Sequence, residues 1–343
     1  MKRLELPLQT TKTDPPITGP LIDTFGRIHK KIRLSLTDKC NLRCNYCMVE
    51  NTSFMPDTAL LTADEVTTIV RLLHSLGINQ IRLTGGEPLL RKDIINITKS
   101  IFDISENIEL SLTTNGVLLE RFAKSLFDSG IRTINVSLDT LDEGQFRAIT
   151  KRNHLSDVIR GILYARQIGF IKLKLNAVIT KTSNTDQIIP LARFAFEHNL
   201  ELRFIESMPI GANTWNFNEI MSKSQIIEIL TSYFGPLSLV ERSDSSPAEL
   251  WEIPQGKFIG IIASVTEPFC SSCDRLRLTA DGHIRSCLFA HNETDIKPFL
   301  RPDFKINALE SAIRSNIWNK SIGHKISTDD FIKPSRTMHA IGG

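Results

Sequence analysis

The sequence predicts an α/β protein: a partial (βα)6 TIM-like barrel with a smaller C-terminal cluster-binding region. Three observations carry that expectation. Six short β-rich runs recur with amphipathic stretches between them, this pattern breaks near residue 220, and the six cysteines fall into two sets of three. Alternating strand and helix reads as parallel βα units, because two parallel strands need a long crossover and a helix commonly provides it. Six units instead of eight leave the closure of the barrel open.

Taken in order, residues 1–24 are polar and broken by prolines (MKRLELPLQTTKTDPPITGP), and are expected to be a disordered extension. They contain no apolar run long enough for a secretory signal or a membrane span. Glu5 and Asp14 interrupt a stretch that a transit peptide would keep poor in acid, so a cytoplasmic location is expected. The barrel should occupy 25–220. Its strands are read at 31–37 (KIRLSLT), 80–84 (QIRLT), 109–114 (ELSLTT), 132–138 (RTINVSL), 172–178 (KLKLNAV) and 201–206 (ELRFIE). Between them lie stretches of helical period. From Thr62 to Leu76, residues Ile69, Leu72, Leu73 and Leu76 share one face, and a second stretch runs from Leu155 to Ile168. The region 221–343 opens with a helix at Ser224 to Tyr233 and a Gly235-Pro236 turn. A Ser/Asp/Pro linker follows, then short β-like pieces including KFIGIIAS and RLRLTA. With 41 basic and 38 acidic residues the net charge is only +3, which calls for no nucleic-acid or membrane partner.

Cys40, Cys44 and Cys47 follow the first strand directly, and so sit at the strand C-termini where barrel sites form. Three thiolates at this spacing can hold three irons of a cubane cluster. With no fourth cysteine nearby in sequence, the fourth iron keeps an open position. The spacing, with Tyr46 just before the last cysteine, resembles the radical S-adenosylmethionine superfamily, in which such an iron chelates S-adenosylmethionine. A zinc site completed by a remote His or Cys is the alternative. The second strand ends in Thr84-Gly85-Gly86-Glu87-Pro88, where paired glycines permit close backbone approach. In this position the pair matches the superfamily's motif for the methionine amino group.

Cys270, Cys273 and Cys287 form the second set. Their spacing alone serves a cluster or a zinc ribbon completed by His283 or His291 equally well. Arg275 and Arg277, two apart on a β-like run, share one face beside this set. Guanidinium forks suit phosphate and carboxylate oxygens, so an anionic ligand is suggested; an exposed β-edge is the plainer explanation.

Together the motifs resemble the GTP 3′,8-cyclase family of molybdenum cofactor biosynthesis, from Phe25 to Gly343. They include Phe25-Gly26-Arg27, Arg33, Arg82, Thr113-Thr114-Asn115-Gly116, Lys174, Arg203-Phe204-Ile205-Glu206, Met208-Pro209 and the terminal Gly342-Gly343. The resemblance implies two 4Fe-4S clusters, one on each cysteine set, and S-adenosyl-L-methionine lined by Tyr46, Gly86, Ser137 and Met208. It implies GTP as substrate, touched by Arg33, Arg82, Thr113, Lys174, Arg203, Arg275, Leu276 and Arg277, with guanine on the second cluster's open iron. Gly342 and Gly343 would reach into the active site. A homodimer, an external electron donor and a downstream cyclic pyranopterin monophosphate synthase are implied on the same ground. One departure is Gln80, where relatives often carry a lysine that could reach the triphosphate. The rival readings are a two-cluster radical enzyme acting on another substrate, such as a peptide, and a non-catalytic zinc scaffold.

Overall fold

Each barrel strand alternates polar and aliphatic residues, and that alternation sorts the two faces of the sheet. In a computed structural model, which describes residues 14–210, 215–241, 245–326, 328 and 331–343, the six expected strands are β1 (Lys31–Ser35), β2 (Gln80–Thr84), β3 (Glu109–Thr114), β4 (Thr133–Ser137), β5 (Lys172–Ile179) and β6 (Glu201–Glu206). They pair in parallel in sequence order. Ile32, Leu34, Ile81, Leu83, Leu110, Leu112, Ile134, Leu175 and Phe204 lie in the main hydrophobic core. The alternate set, which includes Arg33, Arg82, Ser111, Asn135, Lys174 and Arg203, takes the opposite face, as a two-residue period requires. Burying each aliphatic side chain stabilises the fold by about 1.5–3 kcal/mol.

The crossover helices are α1 (Ala63–Ser75), α2 (Ile94–Phe102), α3 (Leu119–Asp128), α4 (Glu143–Thr150), α5 (Leu155–Ile168) and α6 (Ile188–Glu197). Thr62 caps α1 reciprocally with Glu65, which explains why the helix starts where its apolar period does. Then come α7 (Lys223–Phe234), opened by the same device between Ser222 and Gln225, and the strands β7 (Ser238–Val240), β8 (Glu249–Ile253) and β9 (Lys257–Ile262). The chain ends with β10 (Arg275–Leu278), β11 (His283–Arg285), β12 (Thr294–Asp295), α8 (Ile306–Trp318) and the short α9 (Met338–Ile341).

The C-terminal residues supply both flanks of the barrel sheet. β9 pairs in parallel with β6, and β10 pairs in parallel with β1. One sheet therefore runs β12-β11-β10-β1-β2-β3-β4-β5-β6-β9-β8-β7. Because β9 and β10 lie on opposite edges, the segment between them, with Cys270 and Cys273, must cross from one edge to the other.

The expected disordered extension needs correction at its end. Residues 1–13 lie outside the described residues, but Leu21 is buried and its N–H donates to the Leu76 carbonyl at 3.2 Å. Asp23 is buried too, and its carboxylate accepts from Arg27 Nε at 2.6 Å. An apolar side chain and a paired carboxylate fasten this stretch to the barrel. Among the described residues no helix is long and apolar enough to cross a membrane.

Candidate active site

The first cysteine loop is held by its own backbone and by two neighbours. Cys47 N–H and Met48 N–H both donate to the Cys44 carbonyl, at 2.9 and 3.1 Å, and Arg43 and Asn45 N–H groups bond to Thr150 and Ile149 at the end of α4. Asn115 Nδ2 lies 3.7 Å from Cys40 Sγ and 2.7 Å from Asn41 Oδ1. Burial pushes the Cys40 thiol up to about 11 and the Cys47 thiol up to about 12. Burial also raises Cys44, followed by the charges of Cys47, Asp139 and Cys40, so the sulfurs sit close enough to repel as thiolates. Three buried thiols on one loop, with an amide donor on one sulfur, fit a cluster, whose irons offset that repulsion.

The Gly-Gly turn lies against this loop. A Cβ on Gly86 would stand 2.4 Å from the carbonyl oxygens of both Asp38 and Lys39, and one on Gly85 would stand 2.5 Å from that of Thr37. Gly86 N–H donates to Thr37 O and Glu87 N–H to Lys39 O, each at 2.7 Å. What the missing side chains admit is therefore the cysteine loop's own backbone. The buried Glu87 carboxylate accepts from Leu89 N–H, Asn115 N–H and Thr114 Oγ1, and burial raises it to about 7.

Tyr46 and Met208 line a cavity of about 300 Å³ with Asp139, Val178, Asn184 and Trp215. The Tyr46 hydroxyl donates to Asp139 Oδ2 at 2.7 Å, and burial raises Asp139 to about 6. Ser137, exposed at the end of β4, borders a cavity of about 30 Å³ with Cys44, Tyr46 and Asn115. All four residues expected at the cofactor thus adjoin the first cysteine loop or the cavity beside it.

The cations meet inside the barrel. Arg277, Arg33 and Arg82 are register partners on β10, β1 and β2, and Arg275 lies opposite Lys31. On the other side of the barrel Thr113, Asn135 and Lys174 are aligned across β3, β4 and β5, and Asn135 Nδ2 donates to Thr113 Oγ1 at 3.4 Å. Glu201 accepts from Arg203 Nε at 2.8 Å and pairs with Lys174 at 3.3 Å. Burial and then Arg203 push Lys174 down to about 8 and Arg82 down to about 10; burial and then Arg275 push Arg277 down to about 9. Burial, Arg277 and Arg82 depress Arg33 as well. Six cations (Arg33, Arg82, Lys174, Arg203, Arg275 and Arg277) thus crowd together, with Glu201 paired to two of them. Like charges 4 Å apart repel by about 4 kcal/mol at an effective dielectric of 20, so the set favours a polyanion.

Leu276 is an exception among the expected contacts. Its side chain is buried in the core with Ile32, on the face opposite Arg275 and Arg277. Strand alternation leaves only its backbone for a ligand. Gly342, in contrast, lies at the barrel mouth: its carbonyl accepts from Arg277 Nη1, and a Cβ there would stand 2.7 Å from Thr84 Oγ1 and 2.9 Å from Ser35 Cβ. Gly343 follows it and approaches Met338.

In the second set Cys273 N–H donates to the Cys270 carbonyl at 3.2 Å. Arg275 Nη2 and Lys320 Nζ each stand 3.6 Å from Cys273 Sγ. Burial raises the Cys273 thiol, but Arg275 and Lys320 outweigh it and bring it down to about 6. Burial raises Cys270, and the charges of Cys287 and Cys273 add to that. Sulfurs facing cations suit thiolate ligands of iron. His283 does not join them: its Nδ1 lies 3.2 Å from Asp281 Oδ2 and its Nε2 3.9 Å from Glu293 Oε1. His291 is exposed.

Several residues escaped the sequence reading. Asp139, Asn115 as a neighbour of Cys40, Glu201 and Lys320 come from distant segments, and no local spacing marks them. Arg27 had a signal, the Phe25-Gly26-Arg27 motif, but no role; it donates to the carbonyls of Cys270, Ser321 and Ile322.

A parallel barrel with a three-cysteine loop after its first strand defines a radical S-adenosylmethionine protein, and residues 34–195 match the Radical SAM superfamily model. Residues 200–326 match the model described as Molybdenum Cofactor Synthesis C. The fold is similar to that of Streptococcus suis SuiB bound to S-adenosylmethionine, with a TM-score of 0.59 and 18% identity over 87% of this chain and 68% of that one. It is similar also to native anSMEcpe with bound AdoMet, with a TM-score of 0.54 and 15% identity over 81% of each chain. Among relatives, the chain is 43% identical to GTP 3′,8-cyclase 2 of Mycobacterium bovis over 96% of this chain and 93% of that protein. It is 43% identical to the GTP 3′,8-cyclase of Mycobacterium marinum over 96% and 94%. The chain belongs to the GTP 3′,8-cyclase family.

Proposed function

We propose that this protein converts GTP to (8S)-3′,8-cyclo-7,8-dihydroguanosine 5′-triphosphate, the first step of molybdenum cofactor biosynthesis. The observation that carries the reading is the cation-lined barrel, with one set of three cysteines following β1 and the other beside Arg275. A triphosphate carries the charge that Arg33, Arg82, Lys174, Arg203, Arg275 and Arg277 lack, and Thr113 adds a neutral hydroxyl. Cys40, Cys44 and Cys47 would hold a 4Fe-4S cluster that, with S-adenosylmethionine, would supply radical chemistry for hydrogen abstraction at the ribose, and Cys270, Cys273 and Cys287 would hold a second 4Fe-4S cluster that would supply a position for guanine.

The chain's own groups do the rest. Tyr46, Gly86, Ser137 and Met208 border the S-adenosylmethionine site, and Gly86 also keeps the first cysteine loop in place. Arg277 holds Gly342 at the barrel mouth, so Gly342-Gly343 and the β10 arginines form one wall. Together they hold the ribose and the radical source in near-attack geometry and exclude water. The homodimer, the external electron donor, the downstream cyclic pyranopterin monophosphate synthase and the cytoplasmic location rest on the family resemblance.

The test is anaerobic reconstitution with iron and sulfide, then incubation with a strong reductant, S-adenosylmethionine and GTP, reading 5′-deoxyadenosine and the GTP-derived product by mass. Formation of both, each dependent on GTP, is expected. Deoxyadenosine with GTP unchanged would redirect the search to another substrate.

A further inference from the structure

Lys320 lies just beyond α8 and is 3% exposed. Its ammonium donates to the Cys273 carbonyl at 3.1 Å and the Arg275 carbonyl at 2.9 Å, and points its remaining N–H toward Cys273 Sγ at 3.6 Å. All three donors are used, yet carbonyls leave the charge itself uncompensated. Among the described residues no carboxylate pairs with it. Asp23, in the same network, is committed to Arg27 at 2.6 Å and His29 at 3.1 Å. Arg27 also reaches the Cys270 carbonyl at 2.8 Å, and Arg275 stands at Cys273 Sγ. Three cations thus face the second cysteine set. A buried ammonium is costly without an anion, and the anion available here is Cys273 as a cluster-bound thiolate.

We propose that Lys320 is a positioning residue for the second cluster, which holds Cys273 Sγ in place and makes that cluster easier to reduce. The inference rests on the second-cluster reading above. A positive charge and an N–H aimed at a ligating sulfur stabilise the reduced, more negative cluster, and both are recognised determinants of iron-sulfur potentials.

The test uses the full chain with Cys40, Cys44 and Cys47 all replaced by Ala, so that iron binds at the second set alone. This protein and its Lys320→Met and Lys320→Arg forms are reconstituted with iron and sulfide. Metal and sulfide are assayed, and the midpoint potential is read by redox titration with electron paramagnetic resonance. The expected result is a cluster in the parent and an equilibrium constant for its reduction about tenfold lower with Met, a shift of about 59 mV for one electron. Arg should restore at least half of that shift. Loss of the cluster with Met but retention with Arg also supports the inference. Equal potentials and iron contents in parent and Met form overturn it, as does equal loss in the Met and Arg forms. A parent that takes up no iron and sulfide overturns the second-cluster reading itself, a failure distinct from that of the lysine.

Discussion

Replacing Gly86 by Ala tests the contact between the Gly-Gly turn and the first cysteine loop. The new methyl would start 2.4 Å from the Asp38 and Lys39 carbonyl oxygens, and both obstacles are backbone, so no side chain can swing aside. To bring those contacts beyond 3.0 Å, the two segments must part by more than half an ångström. That movement stretches the Gly86-to-Thr37 and Glu87-to-Lys39 hydrogen bonds, both 2.7 Å. Overpacking costs about 1–3 kcal/mol and each of the two weakened hydrogen bonds about 0.5–1.5 kcal/mol, so a destabilisation of about 2–6 kcal/mol is expected. The assay is thermal unfolding of the metal-free chain, paired with iron uptake in a form whose Cys270, Cys273 and Cys287 are replaced by Ala. Both should fall. An unfolding midpoint and an iron content equal to those of the parent would refute the claim that this glycine is there to admit the loop.

Arg277→Ala should weaken GTP binding about 10- to 100-fold, the size of a lost charge-assisted hydrogen bond; equilibrium dialysis decides it, and an unchanged affinity would count against the assignment. Gly342→Ala, at φ +88° and against Thr84 and Ser35, should lower cyclised product at least about tenfold through misplacement of the tail, read by product mass at saturating GTP. Arg336 forks onto Asp281 at 3.0 and 3.2 Å and onto Glu293 at 2.6 and 2.9 Å, so Arg336→Ala should speed hydrogen exchange in residues 337–343, measured by mass spectrometry. Glu87 supplies a pH signature. Because burial raises its folded value from 4.5 to about 7, its contribution to stability is full below about 4.5 and is lost as pH rises through about 7. The stability of the metal-free parent relative to Glu87→Gln should therefore fall between pH 4.5 and 7.5 in denaturant titrations, and a flat difference would contradict the assignment.

The barrel was legible because its signals are local. The alternation in QIRLT and ELSLTT gives strands with one aliphatic face, and the Thr62–Glu65 capping box gives a helix start. The Leu155–Ile168 helix matched its apolar period end to end. The flanking of the sheet was not legible, because β9 and β10 join edges set by strands far away in sequence and nothing in KFIGIIAS or RLRLTA names a partner. In the site, both cysteine sets came from spacing and Arg275 and Arg277 from periodicity, whereas Arg33, Arg82 and Arg203 came only with the family resemblance, since a lone arginine on a strand ordinarily faces solvent. Leu276 can serve a ligand only through its backbone, because strand alternation turns its side chain toward the core. The loop packed against the Gly-Gly turn was not legible, because the lack of a Cβ serves a ligand or a neighbouring loop equally well. Lys320 was invisible, since a lone lysine after a helix ordinarily ends in water.

The crossing of the chain between β9 and β10 also bears on how this protein can be divided. A fragment ending near residue 206 would keep the cysteine loop and all six expected strands, yet it would leave Lys31–Ser35 and Glu201–Glu206 as bare edges, their N–H and C=O groups open to any extended chain. Such a fragment should collect in inclusion bodies when expressed alone, and coexpressing residues 207–343 should bring it back into solution.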